Sequence, residues 1–247
     1  MIDPPAEPLE FPVQTSALHP EPGATVVVDH IDGRAPAYIF LHGFGAGRDG
    51  IKSRALFRHA QSRGHAAVRF DFRGHGDSSG QPNGVTIREL IADAKAVLDF
   101  SGESILVGSS LGGLISTFTA AANPEQIVGL ALLAPALGFV PDLASHLDAE
   151  CYLPSRARPP DPMQQRVIDD AKSLDDWAAV SQLSMPVFIA HGHLDDIVPT
   201  SQSERLFEAI PHNDKELWLI PDGDHRLCEP IDPILERMEK LFAAVRE

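Results

Sequence analysis

Three things are scarce in this 247-residue chain: cysteine, positive charge and long apolar runs. Its two cysteines, Cys151 and Cys228, are too few for a disulfide framework and too far apart in sequence for a CxxC metal or redox motif. They read as free thiols in a reducing compartment, although sequence separation does not fix distance in space and a bridge between them stays open. Lys and Arg number 20 against 35 Asp and Glu, and a net charge of −15 repels phosphate-rich polymers and anionic lipid surfaces. No apolar stretch reaches the ~20 residues of a membrane helix. Met1 to Pro12 carries acids and prolines where a secretory signal needs a basic start and an apolar run. The expectation is a soluble cytoplasmic protein with no nucleic-acid partner and no membrane insertion, its oligomeric state open.

Internal repeats are also missing, and the length suits a single domain over 1–247. Short aliphatic or β-branched runs predict strands at Ala24–Val28, Ala37–Leu41, Ala66–Phe70, Ser104–Val107, Val128–Leu133, Val187–Ala190 and Glu216–Ile220. The first two read as a hairpin turning near Asp32-Gly33. Between the strands, helical spacing marks Lys52–Arg63, Ile87–Phe100, Leu111–Ala122, Ser201–Ile210 and Pro233–Val245. Alternating strands and helices predict an α/β fold, a mostly parallel central sheet with helices on both faces. Residues 136–182 break the rhythm with prolines and one helix around Met163–Ala179, and read as a short lid insertion over one end of the sheet.

Gly108-Ser109-Ser110-Leu111-Gly112 matches G-x-S-x-G between the strand at 104–107 and the helix that opens at Leu111. A turn that merely contains serines would match the same letters, so the strand–turn–helix setting carries the weight. In that setting the central serine is held strained and exposed. Ser110 is the candidate nucleophile. A serine hydroxyl is a poor nucleophile near neutral pH and needs a base, which in turn needs an orienting acid. Two later loops supply them in the chain order Ser, Asp, His: His191-Gly192-His193-Leu194-Asp195-Asp196 and Pro221-Asp222-Gly223-Asp224-His225. Asp195 is preferred over the competing Asp196 because it occupies the acid position of H-G-x-x-D. His225 is the candidate base.

The loop His42-Gly43-Phe44-Gly45 follows the strand at 37–41, where a backbone N–H can join that of the residue after the nucleophile to bind an oxyanion. Those donors are Phe44 and Leu111. The same stretch contains a G-x-G-x-x-G at Gly45, Gly47 and Gly50, with Asp71 about twenty residues on. Residues 42–44 separate the strand from the first glycine, and a hairpin-like segment precedes it, so nucleotide binding is disfavoured. His42, His75, His191 and His193 with Asp195 and Asp196 lack the H-E-x-x-H or paired-cysteine spacing of metal sites, and no metal is expected.

Taken together these motifs resemble the α/β-hydrolase superfamily over nearly the whole chain from Ala24. Ile105 to Gly113, Asp195-Asp196-Ile197-Val198-Pro199 and Asp224-His225-Arg226 are similar to the small acyl-protein thioesterase branch, the palmitoyl-protein thioesterases that also hydrolyse acyl glucuronides. Arg69 to Phe72 and Gly74 to Ser78 resemble that branch and also feruloyl-type esterases and monoacylglycerol lipases, and His42 to Gly45 is the more esterase-like loop. The resemblance implies Ser110, Asp195 and His225 as a triad, Phe44 and Leu111 as oxyanion donors, and no cofactor.

The expected reaction is two-step hydrolysis of a small-molecule carboxylic ester or thioester with a short-to-medium acyl chain. Phe139, Leu143, Leu147, Leu153, Met163 and Trp177 of the insertion are candidate pocket residues, or else simply pack it against the sheet. Arg156 and Arg158 could favour an anionic substrate locally. Acyl-protein thioesterase activity, cofactor-free carbon–carbon bond hydrolysis and a non-catalytic ligand-binding module remain as alternatives.

Overall fold

A computed structural model describes residues 9–138, 162–229 and 231–244. Its strands are β1 (Gln14–Leu18), β2 (Val26–Ile31), β3 (Arg34–Leu41), β4 (His65–Phe70), β5 (Ser104–Ser109), β6 (Ile127–Leu133), β7 (Val187–Gly192) and β8 (Lys215–Ile220). The helices are α1 (Ile51–Ser62), α2 (Ile87–Ser101), α3 (Leu111–Ala122), α4 (Pro162–Lys172), α5 (Asp176–Val180), α6 (Thr200–Ala209) and α7 (Ile231–Ala244), with a short 3₁₀ turn at Pro82–Gly84. One eight-stranded sheet runs β1-β2-β4-β3-β5-β6-β7-β8. Every pair from β4 to β8 is parallel, and β2 joins β1 and β4 antiparallel.

Strand residues alternate between two apolar layers. Tyr38 and Phe40 of β3 and Ile105 and Val107 of β5 pack with Leu56 and Phe57 of α1 and Ile234 and Phe242 of α7. Ile39, Leu41 and Leu106 pack instead with Leu90 and Val97 of α2, Leu114 and Ile115 of α3 and Leu206 of α6. Burial on both faces removes the polar alternation of a one-sided strand, which is why these runs read as continuously apolar. Truncating one such leucine to alanine should cost about 2–5 kcal/mol.

Three expectations are corrected. The hairpin between the second and third strands does not form, because β4 lies between β2 and β3 and the antiparallel neighbour of β2 on its other side is β1. The Asp32-Gly33 link passes over the start of β4 so closely that a Cβ on Gly33 would lie 2.2 Å from the His65 carbonyl carbon. Strand β1 was not expected at all: its residues are exposed or half-exposed, so this edge strand lacks an apolar signature. The single helix over 163–179 is two helices. Asp175 sits in extended backbone between them and caps α5 by accepting the Ala178 N–H at 2.9 Å.

Ion pairs hold α4 against α2, Arg166 with Glu89 and Arg88 with Asp170 at 3.1 Å, and Arg166 also donates to the Gly84 carbonyl of the preceding turn at 3.2 Å. The middle of the expected insertion, 139–161, lies outside the described residues. Among the described residues no helix is long and apolar enough to cross a membrane.

Candidate active site

Strand β5 ends at Ser109 and α3 opens at Leu111, leaving Ser110 in the turn with φ 53° and ψ −116°. That conformation costs a side-chain-bearing residue of order 1–3 kcal/mol. Among the described residues the other non-glycine positive φ angles are at Ala134 after β6 (45°) and Leu227 after β8 (51°), so the strain collects at one edge of the sheet. The turn also brings α3 against β3. A Cβ on Gly112 would lie 2.1 Å from the Leu41 carbonyl oxygen, so only glycine fits there.

The loops after β7 and β8 reach the same edge together. A Cβ on Gly192 would lie 2.3 Å from the Gly223 carbonyl oxygen, which in turn accepts the Leu194 N–H at 2.9 Å. This close passage brings Asp195 to His225, while Asp196 is exposed to solvent. His225 Nδ1 lies 2.7 Å from Asp195 Oδ2, and its Nε2 lies 3.1 Å from Ser110 Oγ. Nδ1 faces a carboxylate and so carries a proton, leaving Nε2 to accept one from the serine.

The Asp195 carboxylate is fully buried and has four donors. Oδ1 accepts the N–H groups of Ile197 and Val198, each at 2.8 Å. Oδ2 takes His225 and, at 3.0 Å, Nε2 of His191. Burial alone would raise its pKa; hydrogen bonds from His191, His225 and the two amides outweigh that and hold it well below the usual carboxylate range. His191 is itself fully buried, with Nδ1 2.7 Å from Ser203 Oγ and Nε2 also 2.9 Å from the Val198 carbonyl. The sequence placed His191 in a loop; its role as a second imidazole on Asp195 was missed, although the four-residue spacing in H-G-x-x-D was the available signal.

Two peptide planes face the serine. A Cβ on Gly43 would lie 3.3 Å from Ser110 Cβ, so the peptide that carries the Phe44 N–H sits beside Ser110. Its carbonyl, that of Gly43, accepts from His42 Nδ1 at 2.8 Å, and in a trans peptide a fixed C=O fixes the opposite direction of the N–H. His42 Nε2 in turn accepts the Phe72 N–H at 3.1 Å, so the ring is neutral with its proton on Nδ1; burial lowers its pKa to about 4. The second plane is Ser110–Leu111. Its oxygen accepts from Gly113 at 2.9 Å and Ala136 at 3.1 Å, and the Leu111 N–H opens α3 with no residue of the helix before it to bond.

The other sequence candidates separate. Trp177 is half-buried beside Gly138, two residues after Ala136, with the Arg205 guanidinium 3.9 Å above its ring. Phe139, Leu143, Leu147, Leu153, Arg156, Arg158 and Cys151 lie outside the described residues, as does the side chain of Met163. Cys228 is half-buried, its Sγ 3.7 Å from the Arg226 carbonyl oxygen. Asp71, the acid of the nucleotide-like motif, is turned inward: its carboxylate accepts the N–H groups of Arg48 at 2.7 Å and Asp77 at 3.1 Å and pairs with the Arg48 guanidinium. Among the described residues no group of three His, Cys, Asp or Glu side chains could hold a metal ion.

The comparisons with known proteins bear on this edge. Residues 36–176 match the family described as alpha/beta hydrolase fold, and 163–231 match serine aminopeptidase, S33. The chain is 32% identical over 216 residues to the mouse protein named palmitoyl-protein thioesterase ABHD10, mitochondrial, covering 82% of this chain and 73% of that one. The solved structure of mouse alpha/beta hydrolase domain-containing protein 10 superposes with a TM-score of 0.79 at 28% identity, over 94% of this chain and 99% of the other. A putative hydrolase from Agrobacterium vitis S4 gives a TM-score of 0.77 at 29% identity, over 96% and 100%.

Proposed function

The chain belongs to the α/β-hydrolase fold family, and from that premise we propose that it hydrolyses carboxylic esters and thioesters with Ser110 as nucleophile, His225 as general base and Asp195 as the orienting acid. The observation that carries this reading is the unbroken relay of 3.1 Å from Ser110 Oγ to His225 Nε2 and 2.7 Å from His225 Nδ1 to Asp195 Oδ2. Ser110 attacks the acyl carbon as its proton passes to His225. The oxyanion forms against the Phe44 and Leu111 amides, whose planes are already fixed from behind, so little reorganisation accompanies charge development. His225 then protonates the departing alcohol or thiol. Water repeats the attack with His225 as base, releasing the acid.

The name of the mouse relative supports thioesters, including acyl-proteins, as substrates beside simple esters. That name also says mitochondrial, which does not fit a purely cytoplasmic location for this chain. Substrate selection is assigned to the lid insertion over 136–182, with Trp177 at its described end.

A p-nitrophenyl ester chain-length series run beside acyl-CoA and acyl-cysteine substrates tests the reaction, and fluorophosphonate labelling mapped to Ser110 tests the mechanism. Turnover with labelling at that serine is expected. Protein that neither labels nor turns over any of these substrates sinks the proposal in favour of a ligand-binding module. Faster cleavage of β-diketones than of esters moves it to carbon–carbon hydrolysis.

A further inference from the structure

Lys52 stands in the first turn of α1, the helix that follows the Phe44 loop. Its Nζ lies 2.8 Å from Ser109 Oγ and 2.6 Å from the Arg226 carbonyl oxygen. Ser109 immediately precedes Ser110 in the chain, and Arg226 immediately follows His225. One ammonium therefore holds the residue next to the nucleophile and the residue next to the base.

The position suits a clamp. Ser109 continues the alternation of Ile105 and Val107, which face α1 and α7, and it is buried. An ammonium offers three donors and no acceptor, so the Ser109 hydroxyl accepts here. That gives the second serine of Gly108-Ser109-Ser110 a task of its own. The His225 loop makes local hydrogen bonds, with Asp224 Oδ1 accepting the N–H groups of Arg226 and Leu227 at 3.0 Å each. Those bonds shape the turn without joining it to β5. The Lys52 contacts do join them, through charge-assisted bonds that are shorter and stronger than neutral ones.

We propose that Lys52 is a positioning residue of the hydrolytic site, clamping Ser109 and Arg226 so that the Ser110 hydroxyl and the His225 imidazole stay within proton-transfer distance. The inference rests on the serine-hydrolase reading above. A displacement of ~1 Å between such groups can cost about 100-fold in rate, so the clamp should act on kcat and leave substrate binding alone.

The test compares the full chain with its K52M, K52R, S109A and K52M/S109A variants. For each, kcat and KM on a p-nitrophenyl ester, the fluorophosphonate labelling rate and Tm are measured. K52M is expected to lose about 10- to 100-fold in both kcat and labelling rate with KM within about twofold, and K52R to return within about fivefold of the parent. S109A should lose about three- to tenfold, and the double variant should match K52M because both changes open one clamp. Full activity in K52M overturns the inference, as does a loss that K52R does not recover or that multiplies in the double variant. If K52M fails to fold, S109A decides, and full activity there overturns it. A parent protein that neither labels nor turns over ends the serine-hydrolase reading itself; an active parent beside an equally active K52M ends only the role of Lys52.

Discussion

Two buried carboxylates sit at the same edge of the sheet, and their surroundings differ in one respect. Asp71, after β4, accepts the backbone N–H groups of Arg48 and Asp77; Asp195, after β7, accepts those of Ile197 and Val198. Each carboxylate is held below its usual pKa against the opposing effect of burial. Beyond the amides, Asp71 meets a guanidinium, whereas Asp195 meets two imidazoles. A guanidinium keeps its proton at any working pH, so the first arrangement can only hold loops together. An imidazole can pass its proton on, so the second can serve a reaction. The partner, more than the carboxylate, separates scaffold from chemistry.

The sharpest way to break this comparison begins with the relay. S110A and H225A should each lower kcat/KM by about 10⁴- to 10⁶-fold, because residues acting as one unit fail together. D195N should lower kcat by about 10³- to 10⁴-fold, since an amide cannot support the charged, correctly oriented imidazole in the same way. D71N should behave oppositely: a stability loss of about 1–3 kcal/mol from removing the charge that two amides and the Arg48 guanidinium share, Arg48 keeping Asp29 and Asp77 as partners, with kcat of the folded fraction within about threefold. Chemical denaturation and active-site titration with a fluorophosphonate separate the two. A D71N enzyme that folds normally but turns over as poorly as D195N would erase the distinction.

A weaker effect follows from His42, the imidazole that belongs to the scaffold. Its folded pKa, about 4, lies below the ordinary imidazole value of 6.5, so the unfolded chain binds a proton that the folded protein refuses. The sign is therefore definite: its contribution is fully present above pH 6.5 and is lost as pH falls toward 4. Between pH 7.5 and 5 the loss should be about 2 kcal/mol, from about 1.4 kcal/mol per pH unit below the unfolded value. Carboxylates with depressed pKa values contribute in the same direction only below about pH 4. Urea midpoints at the two pH values check this, and H42N should flatten the difference. An unchanged midpoint in the parent protein would remove His42 from the account.

The contrast also explains what could be read from the chain alone. The central strands and the helices over them were legible because burial on both faces leaves aliphatic runs, and the elbow because Gly112 and its neighbours sit where a strand meets a helix. Asp195 and His225 were legible through their order and their placement after strands. Edge strand β1 was not, since its side chains carry no burial pattern, and the β2–β3 hairpin misled because an Asp-Gly turn says nothing of the strand that passes between its arms. His191 and Lys52 were hidden for a different reason. Their partners lie on other elements or around a turn, and a periodicity that reports which face is buried does not report which polar atom awaits there.

His191 supplies the finest cut, because it touches the relay without touching Ser110. Its Nε2–H shares Asp195 Oδ2 with His225 and also faces the Val198 carbonyl, while its Nδ1 accepts from Ser203 on α6. Removing it in H191L leaves Asp195 with two amides and His225, enough to keep the carboxylate ionised. What is lost is the restraint on the direction of Oδ2. The expected cost is about tenfold in kcat, or about 1.4 kcal/mol, far below that of D195N, with KM unchanged. Because the site is buried, some stability should be lost as well, so kcat is normalised to the fluorophosphonate-labelled fraction. A normalised kcat equal to that of the parent would mean that the two amides orient Asp195 unaided; one as low as in D195N would make His191, rather than the amides, the group that holds the acid in place.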